Sequence, residues 1–314
     1  MSPVVRVTAA PRETGPVAPR RLRLGLAELV LAARLADAPL PLRVDGHLAP
    51  DRLTERLAGT PVTMAHVQLA EELSRVDDGG PGGAHASLAG RGAVDSSELD
   101  PAVRAALENL AGAPLSVVLD LAVTRRAGEV RLRSWLGVRR GLVTQLTTGP
   151  GLEVELAWFD PRLWVSQLTR AATAEPWVPD PGPIRLPDYV SLPSELLAGN
   201  EQAHRDQRTD LLPALAATHV GRVRLGEPRG VRDADSEEIH ALLELLGAAC
   251  RGRLRLVTGR RDRPAEPPAV TTWLMFDDGW HELRPGRGAT SVLRRRDARD
   301  LGLLTWPLVE GVPS

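Results

Sequence analysis

From Leu115 onward, apolar residues fall on alternate positions: Leu115, Val117, Leu119, Leu121 and Val123. A period of two places one row of side chains on one face of a strand. A short tip, Arg125 to Gly128, reverses the chain, and Val130, Leu132, Leu136 and Val138 continue the alternation. Arg139-Arg140-Gly141 predicts a tight turn, residues 142–147 a returning strand, and Leu152, Val154 and Leu156 another after Gly149-Pro150-Gly151. Asp160-Pro161 then has the form of a helix start, with Leu163, Trp164 and Leu168 on its apolar side.

A similar order returns later. Asp235 caps a helix bearing Ile239, Leu242, Leu243 and Leu246, and residues 253–259 form a strand. The longer connection RRDRPAEPP takes the place of the short tip. Residues 270–276 and 280–283 flank Asp278-Gly279, a favoured hairpin pair, residues 290–293 form a further strand, and Asp297 starts the last helix.

The segments SWLGVRRGLVTQLTTG (134–149) and TWLMFDDGWHELRPG (272–286) carry the likeness, with Trp135 and Trp273 138 residues apart. The capping residues Asp160 and Asp297 are 137 apart, so this alignment needs one deletion in the turn. It sets Leu132, Leu136 and Val138 on Val270, Leu274 and Phe276. Matching phase argues for matching structure, because a slip of one residue exchanges the two faces. We therefore expect an α+β chain of two related halves, each an antiparallel sheet with flanking helices.

The remaining pattern sets the boundaries. Residues 1–20 are rich in Pro, Ala and Arg and read as a disordered tail. Leu22, Leu26, Leu29, Val30 and Ala33 have helical spacing, and residues 50–75 predict further helix. The glycines of 77–92 predict a mobile loop, and Asp100-Pro101 starts a helix with Leu107 and Leu110 inside. The halves are thus 21–174 and 194–314, joined by a strap over 175–193 whose six prolines keep it extended.

Composition narrows the function. Of 314 residues 43% are hydrophobic and 25% charged, as in ordinary globular proteins, and the net charge of −1 supplies no basic field for nucleic acid. Every basic residue is Arg, which we read as genomic base composition. The single cysteine, Cys250, excludes an internal disulfide and a multi-Cys zinc site. The N-terminus lacks a signal-peptide pattern, and the most apolar stretch is broken by Glu28 and Arg34, so a cytoplasmic protein is expected.

Enzyme signatures are missing: no G-x-S-x-G, no H-E-x-x-H, no Gly-Lys-Ser/Thr after the glycine-rich loop. His204-Arg205-Asp206 matches a kinase catalytic loop only in its first three residues. His240 and Glu244 are one helical turn apart, and Asp277-Asp278 sits in a turn; a solvated pair and a hairpin account for them without a metal. We expect no cofactor, no metal and no catalytic centre. Trp135 and Trp273 lie opposite the Leu/Val rows of their strands, so the sheets are expected to be apolar on both faces there. Together with Arg125, Arg126, Arg261 and Arg263 at the projecting tips, they are the candidate partner-binding residues.

The order of these elements resembles the EspG family of type VII (ESX) secretion chaperones of actinobacteria. The resemblance rests on the run SLAGRGAVDSSELDPAVRAALENLAGAPLSVVLDLAV, the SWLGVRRG segment, IRLPDYVSLPSELL, EEIHALLELLGAACRGRLRLV and TTWLMFDDGWHELRPG. It covers about residues 22–310 as a pattern. It implies two α/β subdomains related by pseudo-twofold symmetry and a binding protein rather than an enzyme. It also implies partners that are small helical secreted proteins, PE/PPE-like or WxG-type. We expect a monomer or weak homodimer; the alternative readings are a small-molecule enzyme on a duplicated α/β scaffold and a self-pairing structural dimer. The Arg-rich tail and the glycine-rich insertion depart from the family pattern.

Overall fold

A computed structural model describes residues 18–41, 72–125, 128–139, 141–149, 152–173, 185–227 and 230–312. The disordered-tail expectation for 1–17, most of the helix expected over 50–75, the first part of the strap (175–184) and Arg126 lie outside these residues. Twelve strands form one antiparallel sheet among the described residues. In chain order they are β1 (Arg20–Gly25), β4 (Leu115–Arg125), β5 (Gly128–Arg139), β6 (Leu142–Thr148), β7 (Glu153–Phe159), β8 (Tyr189–Pro193), β9 (Arg224–Glu227), β10 (Gly230–Asp233), β11 (Gly252–Arg260), β12 (Ala269–Phe276), β13 (Gly279–Pro285) and β14 (Thr290–Arg296). A two-residue ribbon supplies β2 (Val94–Asp95) and β3 (Glu98–Leu99). Across the sheet the order is β1-β7-β6-β5-β4-β11-β12-β13-β14-β8-β9-β10. The meanders β4–β7 and β11–β14 therefore run outward from a central β4–β11 pair.

Eight α-helices cover the sheet among the described residues: α1 (Leu26–Leu35), α2 (Ala84–Gly90), α3 (Pro101–Gly112), α4 (Trp164–Ala172), α5 (Ser194–Arg205), α6 (Leu212–Thr218), α7 (Ser236–Ala248) and α8 (Ala298–Glu310). The expected starts are present. Asp100 accepts from the backbone N–H groups of Ala102 and Val103 at 2.8 and 3.0 Å, with Pro101 in the first turn. Asp235 and Glu238 form a capping box, as do Asp297 and Asp300.

Three expectations need correction. The helical spacing from Leu22 begins as strand β1, where Leu22 and Leu24 alternate against β7, and the helix starts only after Gly25. Part of the glycine-rich stretch winds into α2, which buries Ala84 and Leu88. The end of the Pro-rich stretch is strand β8, paired to both β14 and β9.

Three cores result. One face of the central strands packs under α4 and α8 through Leu119, Leu136, Leu256, Trp164, Trp273 and Leu301. On the opposite face, α1 and α3 close a core over β1, β6 and β7, while α5, α6 and α7 close another over β8 and β14. Helices α4 and α8 cross at Gly302, where an added Cβ would lie 2.6 Å from Val165 Cα. Gly302→Ala should cost about 1–3 kcal/mol from this clash, despite alanine's better helix propensity. Urea unfolding checks it, and stability at or above wild type is the adverse result.

The hydrogen-bond register revises the alignment of the two meanders. Moving the pairs Leu119↔Ser134, Trp135↔Leu146 and Val143↔Phe159 by 137 residues gives Leu256↔Thr271, Thr272↔Leu283 and Trp280↔Arg296, all of which are present. The shift is 137 throughout, so no deletion in the turn is needed. Trp273 stands at the place of Leu136, and Trp135 at the place of Thr272. The tryptophans thus face opposite sides of the sheet, and Leu136 and Val138 share their core with Trp273 and Met275 rather than with Leu274 and Phe276. The reason is local. Gly141, at φ +70°, sits inside its turn, whereas Gly279, at φ +120°, is the first residue of β13. Aligning those two glycines puts the flanking residues one step out of phase.

Candidate docking site

Between the two helical layers of the second face lies the middle of the sheet, built from β5, β4, β11 and β12. Successive strands pair so that their side chains form rows across the sheet. One row reads Trp135–Val118–Val257–Val270. The next reads Arg133–Asp120–Arg255–Thr272, and the third Arg131–Ala122–Arg253–Leu274. All share a face, because each strand contributes alternate residues. The opposite members, such as Leu119 and Leu256, are in the core.

Among the described residues no helix covers the outer face. Val118, Val257 and Trp135 are half-buried and Val270 is 51% exposed. The arginine rows wall a depression of about 630 Å³. Asp120 binds the guanidinium of Arg133, which also lies 5.9 Å over the Trp135 ring. Glu129 holds Arg131 at 3.0 Å. Arg253 and Arg255 are exposed and have no ion-pair partner among the described residues.

The residues expected from sequence are scattered. Trp135 borders the depression. Trp273 has no exposed surface and stacks obliquely on Trp280, centroids 6.3 Å apart, so it offers no partner contact. That corrects the expectation of an exposed apolar side at Trp273: α4 and α8 cover it. Arg261 donates to the carbonyl of Ala111 near the end of α3, where a cation favours the helix dipole. Arg263 is exposed and pairs with Glu266 at 3.2 Å. Arg125 ends β4, opposite Gly128. Sequence reasoning missed Arg131, Arg133, Arg253 and Arg255. Their signal was the triplet Arg-Leu-Arg in β5 and β11, the strands either side of β4, but the same triplet occurs at Arg21–Arg23, so by itself it is unspecific.

Other titratable groups do not converge. No group of three His, Cys, Asp or Glu residues is placed to hold a metal among the described residues. His240 and Glu244 are an exposed pair at 3.6 Å. Burial pushes the Cys250 thiol up, away from a reactive thiolate.

His281 is fully buried beneath the β12–β13 hairpin, 3.9 Å from Asp278, with its ring edge-on to Phe276. Burial lowers its pKa, opposed by the Asp278 carboxylate; Arg295 pushes the same way as burial and Asp188 against it. The unfolded chain, whose histidine titrates near 6.5, binds the proton more readily than the folded one. Stability should therefore be full above about pH 6.5 and fall as the pH drops below it. Melting temperatures at pH 7.5 and 5.5 test this: His281→Leu should flatten the difference, and an unchanged difference would refute the assignment.

The architecture so assembled is a helix-flanked antiparallel sheet with an uncovered, arginine-walled centre, a form suited to docking. No protein-family model and no curated protein matches the sequence. Among solved structures, the chain has the fold found in the Mycobacterium tuberculosis type VII secretion system chaperone EspG5 in complex with a PE25–PPE41 dimer. The TM-score is 0.55 at 13% identity, covering 94% of this chain and 97% of the other. The M. tuberculosis protein HtdX aligns at a TM-score of 0.14 and 13% identity, over 88% and 98% of the two chains, too low for a shared fold. No helix of the described residues is long and apolar enough to cross a membrane.

Proposed function

We propose that this protein is a cytoplasmic chaperone of a type VII secretion system, which binds helical PE/PPE-like or WxG-type substrates, keeps them soluble and aids their export. The observation that carries the reading is the uncovered sheet centre in a chain with the fold of EspG5. A row of Trp135, Val118, Val257 and Val270 left in water is costly unless something covers it, and burying it against an apolar helical surface gains the hydrophobic term.

The same reading includes a duplicated origin. The halves 21–174 and 194–314 are related by a pseudo-twofold axis through the β4–β11 pair. The constant shift of 137 residues in the pairings supports this, as does a strand order that leaves that pair in the same outward sequence on both sides. One substrate fits over the axis, which makes the protein a monomer with one docking face.

Co-expression with each ESX-linked helical pair of the host genome tests the function. Light scattering behind a sizing column should show a stable complex with one copy of each chain. Free chaperone mass with every such pair is the adverse result.

A further inference from the structure

The open face is asymmetric, and its asymmetry specifies the partner. One side is the apolar row from Trp135 to Val270; the other carries Arg131, Arg133, Arg253 and Arg255. Two carboxylates lie among them, Asp120 and Glu129, and each is taken by one arginine. Arg253 and Arg255 remain exposed and unpaired among the described residues. The two arginine rows and the apolar row are about 7 Å apart along the strands, two residues per step. Four strands at about 4.8 Å spacing give a row of about 14 Å, the length of roughly ten helical residues.

We propose that this face takes one amphipathic helix of a protein partner, laid across β5, β4, β11 and β12, with its apolar stripe on the Trp/Val row and a stripe of Asp or Glu on the flank above Arg253 and Arg255. The proposal rests on the chaperone reading of the same face and deepens it by naming the chemistry of the docked segment. Positions i, i+4 and i+7 of such a helix meet the apolar row, and the next residues around the helix reach the arginines. Guanidinium groups suit this work, because their fork donates to both oxygens of a carboxylate. The charge sets orientation and choice of partner, while apolar burial supplies the affinity. A helix with a basic flank would leave four arginines facing like charge.

The test uses the full chain and an 18-residue fluorescein-labelled peptide, bridged to stay helical, with Leu at i, i+4, i+7 and i+11 and Glu along one flank. A twin peptide carries Lys for Glu; a single-stranded DNA oligonucleotide and phosphatidylglycerol vesicles serve as other anionic probes. By fluorescence anisotropy the Glu peptide should bind at least tenfold tighter than the Lys peptide. The double variant Arg253→Glu/Arg255→Glu should reverse that order, and Val257→Asp should weaken both peptides. Thermal melts should show the double variant folded, since neither arginine has a partner to lose. Equal binding of the two peptides, no effect of the charge reversal, or tighter binding of DNA or vesicles than of the Glu peptide overturns the proposal. The peptide assay needs no natural substrate. If it fails while co-expressed pairs are still captured, the acidic flank is wrong and the chaperone reading stands. If it succeeds while no pair is captured, the selectivity stands and the chaperone reading falls.

Discussion

Trp273→Ala should lower the free energy of unfolding by about 3–5 kcal/mol, the range for emptying a large buried aromatic site. Trp273 has no exposed surface and fills the core between the central strands and α4/α8, against Trp280. The space cannot collapse easily. Trp280 is itself tied down, its indole N–H donating to the Ala172 carbonyl at 2.8 Å, and Trp164 is held the same way by Thr305 at 2.9 Å. Trp135→Ala should behave differently. Its ring is half-buried at the edge of the open face, so the stability cost should be roughly 1 kcal/mol. Its loss should instead appear in binding, at about 2 kcal/mol or some thirtyfold, as for an aromatic anchor buried by a partner. Urea unfolding and a binding titration on both variants separate the two roles. Equal stability costs would contradict the opposite facing of the two side chains.

That contrast also shows what the sequence could reveal. The period of two in residues 115–123, the Asp-Pro helix starts and the order of strands were legible, because each depends on neighbours close in the chain. The strand β1 was not, since Leu22 to Val30 satisfies a helical spacing and only pairing with β7 decides the matter. The relative register of the two meanders is not legible for a related reason. Trp-Leu and a turn glycine recur in both segments, but hydrogen bonds across strands, which no local pattern reports, set the true shift at 137. Trp135 is legible because Trp-Leu recurs in both segments. The arginine rows are not, because their meaning comes from β4 lying beside β11, two strands 137 residues apart in the register. The sequence contains both Arg-Leu-Arg triplets but gives no sign that they face the same opening.

The 137-residue shift leads to a second large effect. Glu282 is buried on β13 and accepts two hydrogen bonds from Arg296 of β14, at 2.8 and 2.6 Å, with Arg284 at 3.3 Å. At the shifted positions the first meander carries Gln145 and Phe159. Gln145 is held by Thr147 at 3.0 Å within a neutral Ser134/Thr147 patch. The same place in the sheet is thus filled once by an ion pair and once by an amide beside an aromatic ring, so the fold does not require the charges. Breaking the pair from one side is another matter. Glu282→Gln leaves Arg296, whose side chain is only 15% exposed, without its counter-charge. The expected cost is about 3 kcal/mol, the low end for half of a buried pair because Arg296 keeps some solvent. The double change Glu282→Gln/Arg296→Phe copies the first meander and should return stability to within about 1 kcal/mol of wild type. A double-mutant cycle by urea unfolding should then show a coupling above about 1.5 kcal/mol between the two positions. Additive losses would mean that the two meanders, though matched in register, are packed by different rules at this site.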